Sequence, residues 1–178
     1  AGQLEIQYWP VDLMSIIEEV RQIFALQLSR KNIEFVTDID DKQPRWFQLD
    51  EIRLRQILLN IVGNAVKFTE KGSIRLSVRM IEKNEDKSVH DIQISIEDTG
   101  IGISQNDIKG IFESFKQQSG FDPSRFGGTG LGLPICRRLV EMMNGEIRVD
   151  SVEGTGSRFE IVIRDVKVAF KEMPLLNQ

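Results

Sequence analysis

Three groups of residues have side chains or backbone suited to holding a charged ligand. Asn60, Asn64 and Lys67 recur four and three positions apart. At about 100° per residue they fall within a helical edge roughly 60° wide, beside an apolar stripe. Two amide oxygens on one edge can orient a hydrated divalent cation, and a lysine ammonium beside them can meet a phosphate oxygen. Plain solvent exposure is the alternative, but Asn is a poor helix former, and its repeated use here carries a local cost.

The second group is DTGIGIS, Asp98 to Ser104, directly after an apolar strand-like run. Gly100 and Gly102 allow a tight turn and close backbone approach to a flat ligand, and Asp98 offers a carboxylate acceptor suited to an exocyclic amine. Taken alone, the segment also fits an ordinary capped turn. The third group is RFGGTGLGL, Arg125 to Leu133, which places Gly127, Gly128, Gly130 and Gly132 before a helical stretch. Several backbone N–H groups and the positive end of a helix can face one anion there. No Gly-Lys-Ser/Thr ends the run, so it is not a P-loop, and a flexible hinge is the plainer reading of glycines alone.

Positioning these groups requires a particular set of elements. Leu4 to Tyr8 alternates as a short strand, and Pro10 and Asp12 introduce a helix over Leu13 to Leu28, with Ile16, Ile17, Val20, Ile23, Phe24 and Leu28 on one face. Ile33 to Ile39 and Arg45 to Leu49 are β-type runs. Asp50 is an N-cap candidate for a second helix over Arg53 to Thr69, striped by Leu54, Ile57, Leu58, Ile61, Val62, Ala65 and Phe68. Ser73 to Glu82 and His90 to Glu97 are strands, Leu131 to Met143 is a third helix, and Glu146 to Asp150 and Ser157 to Ile163 close the fold around a turn with Gly154 and Gly156. Adjacent strand pairs require hairpins. The fold class is therefore α+β: a two-layer α/β sandwich with a mixed, mainly antiparallel sheet on three main helices. Residues 1–165 form the domain, and 166–178, with Pro174, read as a loose tail.

Composition narrows the partners. The 178 residues suit one domain, and 23 Lys plus Arg against 27 Asp plus Glu give a net charge of −4, so no global positive field favours nucleic acid or an anionic membrane. The single Cys136 lies in a helical context as a small apolar residue, and one Cys and one His do not make a zinc site. No apolar run has the length of a membrane span, and the N-terminus lacks a secretory pattern, so the chain reads as a soluble cytoplasmic domain.

LNIVGNAVKFT, DTGIGIS, IFESF, GGTGLGL and GTGSRFEI occur in the order of the N box, first glycine box, F box, second glycine box and last glycine box of histidine kinase catalytic domains. The chain resembles that family over residues 4 to 165. The resemblance implies the Bergerat-type ATP-binding fold of the GHKL superfamily, as in bacterial sensor kinases, hybrid ones included. It implies ATP and Mg²⁺ as cofactors, Asn60, Asn64 and Lys67 in catalysis, and Asn60 and Asn64 at the metal. It further implies nucleotide contacts from Asn64, Lys67, Phe68, Asp98, Gly100, Ile101, Gly102, Phe112, Phe115, Gln117, Arg125, Gly128, Thr129, Gly130, Leu131, Gly132, Leu133 and Thr155. Hydrolytic members of the superfamily carry a Glu four residues before the metal-binding Asn. Here that position is Asn60, and an amide cannot take a proton from water, so phosphoryl transfer is favoured over hydrolysis.

One departure qualifies the resemblance. The family's phosphoacceptor histidine lies in an upstream helical hairpin, whereas the single His90 begins a strand after a polar loop and reads as an incidental surface residue. The chain is thus expected to be a catalytic domain, monomeric by itself. Its implied partners are the dimerisation and histidine phosphoacceptor domain of a homodimeric parent and a downstream response regulator receiver domain. The parent is a candidate for anchoring in the bacterial inner membrane. A related serine kinase, or a nucleotide-gated binding module whose Gly110 to Gly127 lid presents Phe112, Phe115 and Phe121, are the other readings.

Overall fold

The computed structural model describes residues 5–40, 42–113 and 130–170. Its first helix, α1 (Leu13–Lys31), starts where Asp12 Oδ1 accepts hydrogen bonds from the backbone N–H groups of Met14 (3.1 Å) and Ser15 (3.3 Å). It ends at Asn32, in the left-handed region with φ 52°. The second, α2 (Glu51–Phe68), is capped by Asp50, as its side chain suggests: Oδ1 accepts from Arg53 N–H at 3.0 Å. The third long helix, α4 (Gly132–Met142), follows a short turn of helix, α3 (Gln105–Ile108). Leu13, Ile16, Ile17, Val20 and Leu28 of α1 are buried, together with the whole apolar stripe of α2 up to Val66. Ile23 was expected on that buried face but is 57% exposed. Phe24 turns inward instead, lying so close to Gly63 of α2 that a Cβ there would stand 3.3 Å from its ring.

Among the described residues, five strands form the main sheet: β2 (Ile33–Ile39), β4 (Gly72–Glu82), β5 (Val89–Asp98), β7 (Gly156–Lys167) and β6 (Gly145–Val152), in that spatial order. Only β2 and β4 are parallel, because the α2 crossover separates them, while β4–β5 and β6–β7 are hairpins. The helices pack on this sheet through one hydrophobic core, giving the mixed α/β sandwich the patterning indicates. Along β5, Ile92, Ile94 and Ile96 alternate into that core. No helix among the described residues is long and apolar enough to cross a membrane.

Several boundaries differ from the sequence reading. The strand expected over Leu4 to Tyr8 lies later, as β1 (Trp9–Asp12), paired with β3 (Trp46–Leu49) in a separate two-stranded sheet. Residues 5–8 are held otherwise: Gln7 N–H donates to Asp50 Oδ2 at 2.9 Å. Pro10 is accommodated in β1 because a two-stranded ribbon leaves one edge free of ladder bonds. At the other end β7 continues to Lys167, Val166 and Ala169 are buried, and Ala169 N–H donates to Trp46 O at 2.8 Å. Residues 166–169 therefore belong to the fold and not to a tail. After α3, which the sequence reading did not include, the chain turns at 109–112.

The largest correction is His90, which is fully buried, with its ring edge against Phe47 at a centroid distance of 5.9 Å. The alternation of β5 explains it: His90 sits in the inward row two positions before Ile92, and a polar loop before the strand does not alter that phase.

Candidate functional site

The same alternation that buries Ile92, Ile94 and Ile96 places Asp98 at the end of the inward row, so a carboxylate occupies a core-facing position. Burial pushes its carboxyl above the ordinary aspartate range, against the opposite pull of backbone N–H groups of Gly100 and Ser157 that donate to it. The Gly100 bond measures 2.8 Å to Oδ1 and closes a local turn. Asp98 is thus aimed and partly desolvated, the condition in which a hydrogen bond to a ligand amine counts for most.

The loop after Asp98 fits tightly between other elements. A Cβ on Gly100 would lie 2.5 Å from the carbonyl oxygen of Phe68, and one on Gly102, at φ 69°, would lie 2.0 Å from Val152 O. Ile101 N–H donates to Phe68 O at 3.3 Å, tying the loop to the end of α2, and Gly154 N–H donates to Ile101 O, tying it to the β6–β7 turn that carries Thr155. Ser151 Oγ accepts from Ile103 N–H and donates to Gly156 O, both at 2.8 Å. Gly156, at φ 138°, brings the turn so near Asp98 that a Cβ would stand 2.0 Å from Asp98 O. The first and last glycine boxes are therefore one interlocked unit.

On α2, Asn60, Asn64, Lys67 and Phe68 are all half-buried beside the apolar stripe. Lys67 Nζ lies 4.8 Å over the Phe68 ring, and burial pushes its ammonium pKa down. The start of α4 meets this edge: the Oδ1 of Asn60 would be 3.2 Å from a Cβ on Gly132. Asn60 also hydrogen-bonds Cys136, whose thiol donates to Ile57 O at 3.8 Å and is pushed up to about 12 by burial. Cys136 is therefore an inert packing residue, as its sequence context indicates. The Leu131 cap position of α4 makes no side-chain hydrogen bond, and Gly130 has φ 69°. Leu131 and Leu133 are half-buried. Phe112 is half-buried against the core, with Arg137 of α4 over its ring at 5.9 Å.

Phe115, Gln117, Arg125, Gly128 and Thr129 lie outside the described residues. Of the remaining positions, Phe68, Asp98, Gly100, Ile101 and Gly102 are drawn together where the end of α2, the end of β5 and the β6–β7 turn meet, while the start of α4 meets α2 farther back, at Asn60. Sequence reasoning overlooked Ser151, Ser157 and Lys31, whose donors reach other elements. For Ser157 the signal was available in principle: it is two residues into the last strand, whose register sets it opposite Asp98. Among the described residues no cluster of three or more His, Cys, Asp or Glu could hold a metal ion.

Residues 49–167 match the family model described as histidine kinase-, DNA gyrase B- and HSP90-like ATPase. The sensor protein GacS of Pseudomonas syringae pv. syringae is 38% identical over 177 residues, covering 99% of this chain and 19% of that protein. The signal transduction histidine-protein kinase BarA of Escherichia coli is 38% identical over 159 residues, covering 89% and 17%. The chain thus spans no more than about a fifth of these relatives' length. Among solved structures, full-length ShkA in complex with AMPPNP aligns with a TM-score of 0.79 at 33% identity, over 95% of this chain and 33% of that one. The catalytic domain of histidine kinase ThkA aligns at 0.72 and 27%, over 89% and 98%. The chain belongs to the histidine kinase-, DNA gyrase B- and HSP90-like ATPase family, and its relatives place it among the catalytic domains of histidine kinases.

Proposed function

We propose that this domain binds Mg-ATP where these four elements meet and donates the γ-phosphoryl group to a histidine on a separate dimerisation and phosphoacceptor domain. The observation that carries the reading is Asp98: a buried carboxylate at a strand end, fixed by Gly100 and Ser157 N–H groups and bordered by a loop packed too tightly for any side chain at Gly100 or Gly102. That donor and acceptor set fits an adenine amine and excludes bulk water from it. Lys67 and the N-terminus of α4 fit the phosphates; a half-buried ammonium with a lowered pKa regains its charge stability beside an anion.

The donor set fits a magnesium ion held mainly by nucleotide phosphates and water, with Asn64 and Asn60 supplying amide oxygens. When bound, the ion neutralises charge on the transferring phosphoryl group. The chain's own groups act by position: Asp98 orients the base, Lys67 neutralises phosphate charge, and Asn60 supplies no base to activate water. Partners follow from the relatives, which include proteins named hybrid and sensor histidine kinases. The phosphoacceptor domain, a downstream receiver domain, a homodimeric parent, its membrane anchoring and the cytoplasmic setting belong to this proposal.

Calorimetric titration with Mg-AMPPNP and labelling of a separately produced acceptor hairpin with γ-labelled ATP test it. Saturable binding and an acid-labile label are expected. No binding, or an acid-stable label, overturns it.

A further inference from the structure

The last carbonyls of a helix have no intrahelical donors and must find partners elsewhere. At the end of α2 each has a defined one. Lys31 Nζ donates to Val66 O (2.6 Å), Lys67 O (3.2 Å) and Thr69 O (3.0 Å), and Phe68 O takes Ile101 N–H from the loop after Asp98. An ammonium has three N–H donors, and here all three are used. A cation is also favoured at a helix C-terminus. Lys31 is rigidly mounted: it ends α1, the next residue turns through the left-handed region, and Ile33 enters β2 opposite Gly72 of β4.

We propose that Lys31 is a positioning residue for the nucleotide site, a clamp that fixes the end of α2 so that Lys67 and Phe68 stand at a set spacing from the Gly100–Ile101 loop. The inference rests on the ATP-site reading above. Lys31 does not touch the ligand, because its donors are committed to backbone. It acts through the peptide units that carry Lys67 and Phe68, and through Phe68 O, the atom against which Gly100 packs. Among the links of α1 to α2, Lys31 is the one that bonds directly to the peptide units carrying Val66, Lys67 and Thr69.

The test compares Lys31→Met with the wild-type chain by amide hydrogen exchange without nucleotide and by Mg-AMPPNP calorimetry, at a temperature where both are folded. The N–H groups of Thr69 and Ile101 should exchange about tenfold faster relative to Ile94, and the Kd should rise about tenfold, as expected from loss of charge-assisted bonds worth at least that factor. Lys31→Arg, which keeps a cation in reach of the carbonyls, should restore the Kd to within about threefold. Should Lys31→Met not fold, Lys31→Gln, with two donors, should move both readouts the same way by less. Unchanged exchange, or faster exchange with an unchanged Kd, overturns the inference. If the wild-type chain binds no Mg-AMPPNP, the ATP-site reading fails and the nucleotide role of Lys31 with it, while exchange at Ile101 still reports whether the clamp exists.

Discussion

Gly100→Ala is the sharpest test of how the site is built. The new Cβ would lie 2.5 Å from Phe68 O, 2.8 Å from Asp98 Oδ1 and 3.0 Å from Phe68 C, two of them backbone atoms that cannot rotate away. Reaching ordinary van der Waals contact means opening the gap by about 1 Å. The Ile101 to Phe68 bond, already 3.3 Å, does not survive that, and the 2.8 Å bond from Gly100 N–H to Asp98 is strained or broken. A neutral bond counts for ~1 kcal/mol and a charge-assisted one for ~1.5–3 kcal/mol. The stiffer unfolded chain returns ~0.4–1 kcal/mol. The net is a loss of about 2–3 kcal/mol, all of it at the groups assigned to the base.

Urea denaturation should therefore show that loss, and calorimetry should show Mg-AMPPNP binding weakened by about 10- to 100-fold. Gly154→Ala is the internal control. It too has positive φ, 79°, but a Cβ there meets nothing within 4 Å. It should cost ~1 kcal/mol of backbone strain and leave the affinity unchanged. Wild-type affinity in Gly100→Ala would refute the placement of the loop against α2. Equal loss in both variants would show that turn strain, and not the close approach, governs the site.

Asp98 should titrate above the ordinary aspartate value of about 3.9 and move downward when nucleotide is added, because the amine bonds to the ionised form; carboxyl-carbon NMR reads both. With the folded value above the unfolded one, this group's stabilising contribution is present below the unfolded value and lost as pH rises through the folded one; a midpoint at or below the ordinary value contradicts it. His90 is buried and, among the described residues, neither ring nitrogen has a hydrogen-bond partner, so His90→Phe, which keeps the edge contact to Phe47, should raise stability by ~1 kcal/mol in thermal unfolding; a decrease would point to a partner for the imidazole. Asn60→Glu places a carboxylate at the half-buried edge beside Gly132, and phosphate release from ATP should rise by up to about 10²-fold. An unchanged rate would remove Asn60 as the position that separates transfer from hydrolysis.

The readable part of this protein was its periodic part. α2 follows its stripe from the Asp50 cap to Phe68, and β5 follows its alternation so regularly that Asp98 falls into the core-facing row without any special geometry. The same alternation, carried two residues further back, would have buried His90. The polar loop before it points to the surface instead, because there local composition competes with strand phase. Pro10 was misplaced for a related reason: proline speaks against a strand interior, and only the pairing with β3 reveals that its strand has a free edge.

What was illegible are the closures between segments distant in sequence. Ser157 reaches Asp98 and Ser151 reaches Ile103 because the sheet register brings them together, and no local pattern encodes register between strands. In the sequence Lys31 is one more basic residue just past a helical stripe, which is common and asks for no further role. Its reach to the carbonyls of Val66, Lys67 and Thr69 belongs to the packing of α1 on α2, in which a Cβ on Gly63 would stand 3.3 Å from the Phe24 ring. The division has a physical basis. Burial periodicity follows from hydrophobic transfer, which each residue expresses alone, whereas the site depends on fixed separations between α2, β5 and the β6–β7 turn. Those separations also lower stability locally: the site keeps a desolvated carboxylate at Asp98 and a buried Thr69 hydroxyl without a hydrogen-bond partner among the described residues, while the adjoining isoleucines of β5 are fully packed. Groups held in this way are already desolvated and aimed before a ligand arrives, so a ligand that satisfies them loses less free energy to their ordering than it would at a flexible surface.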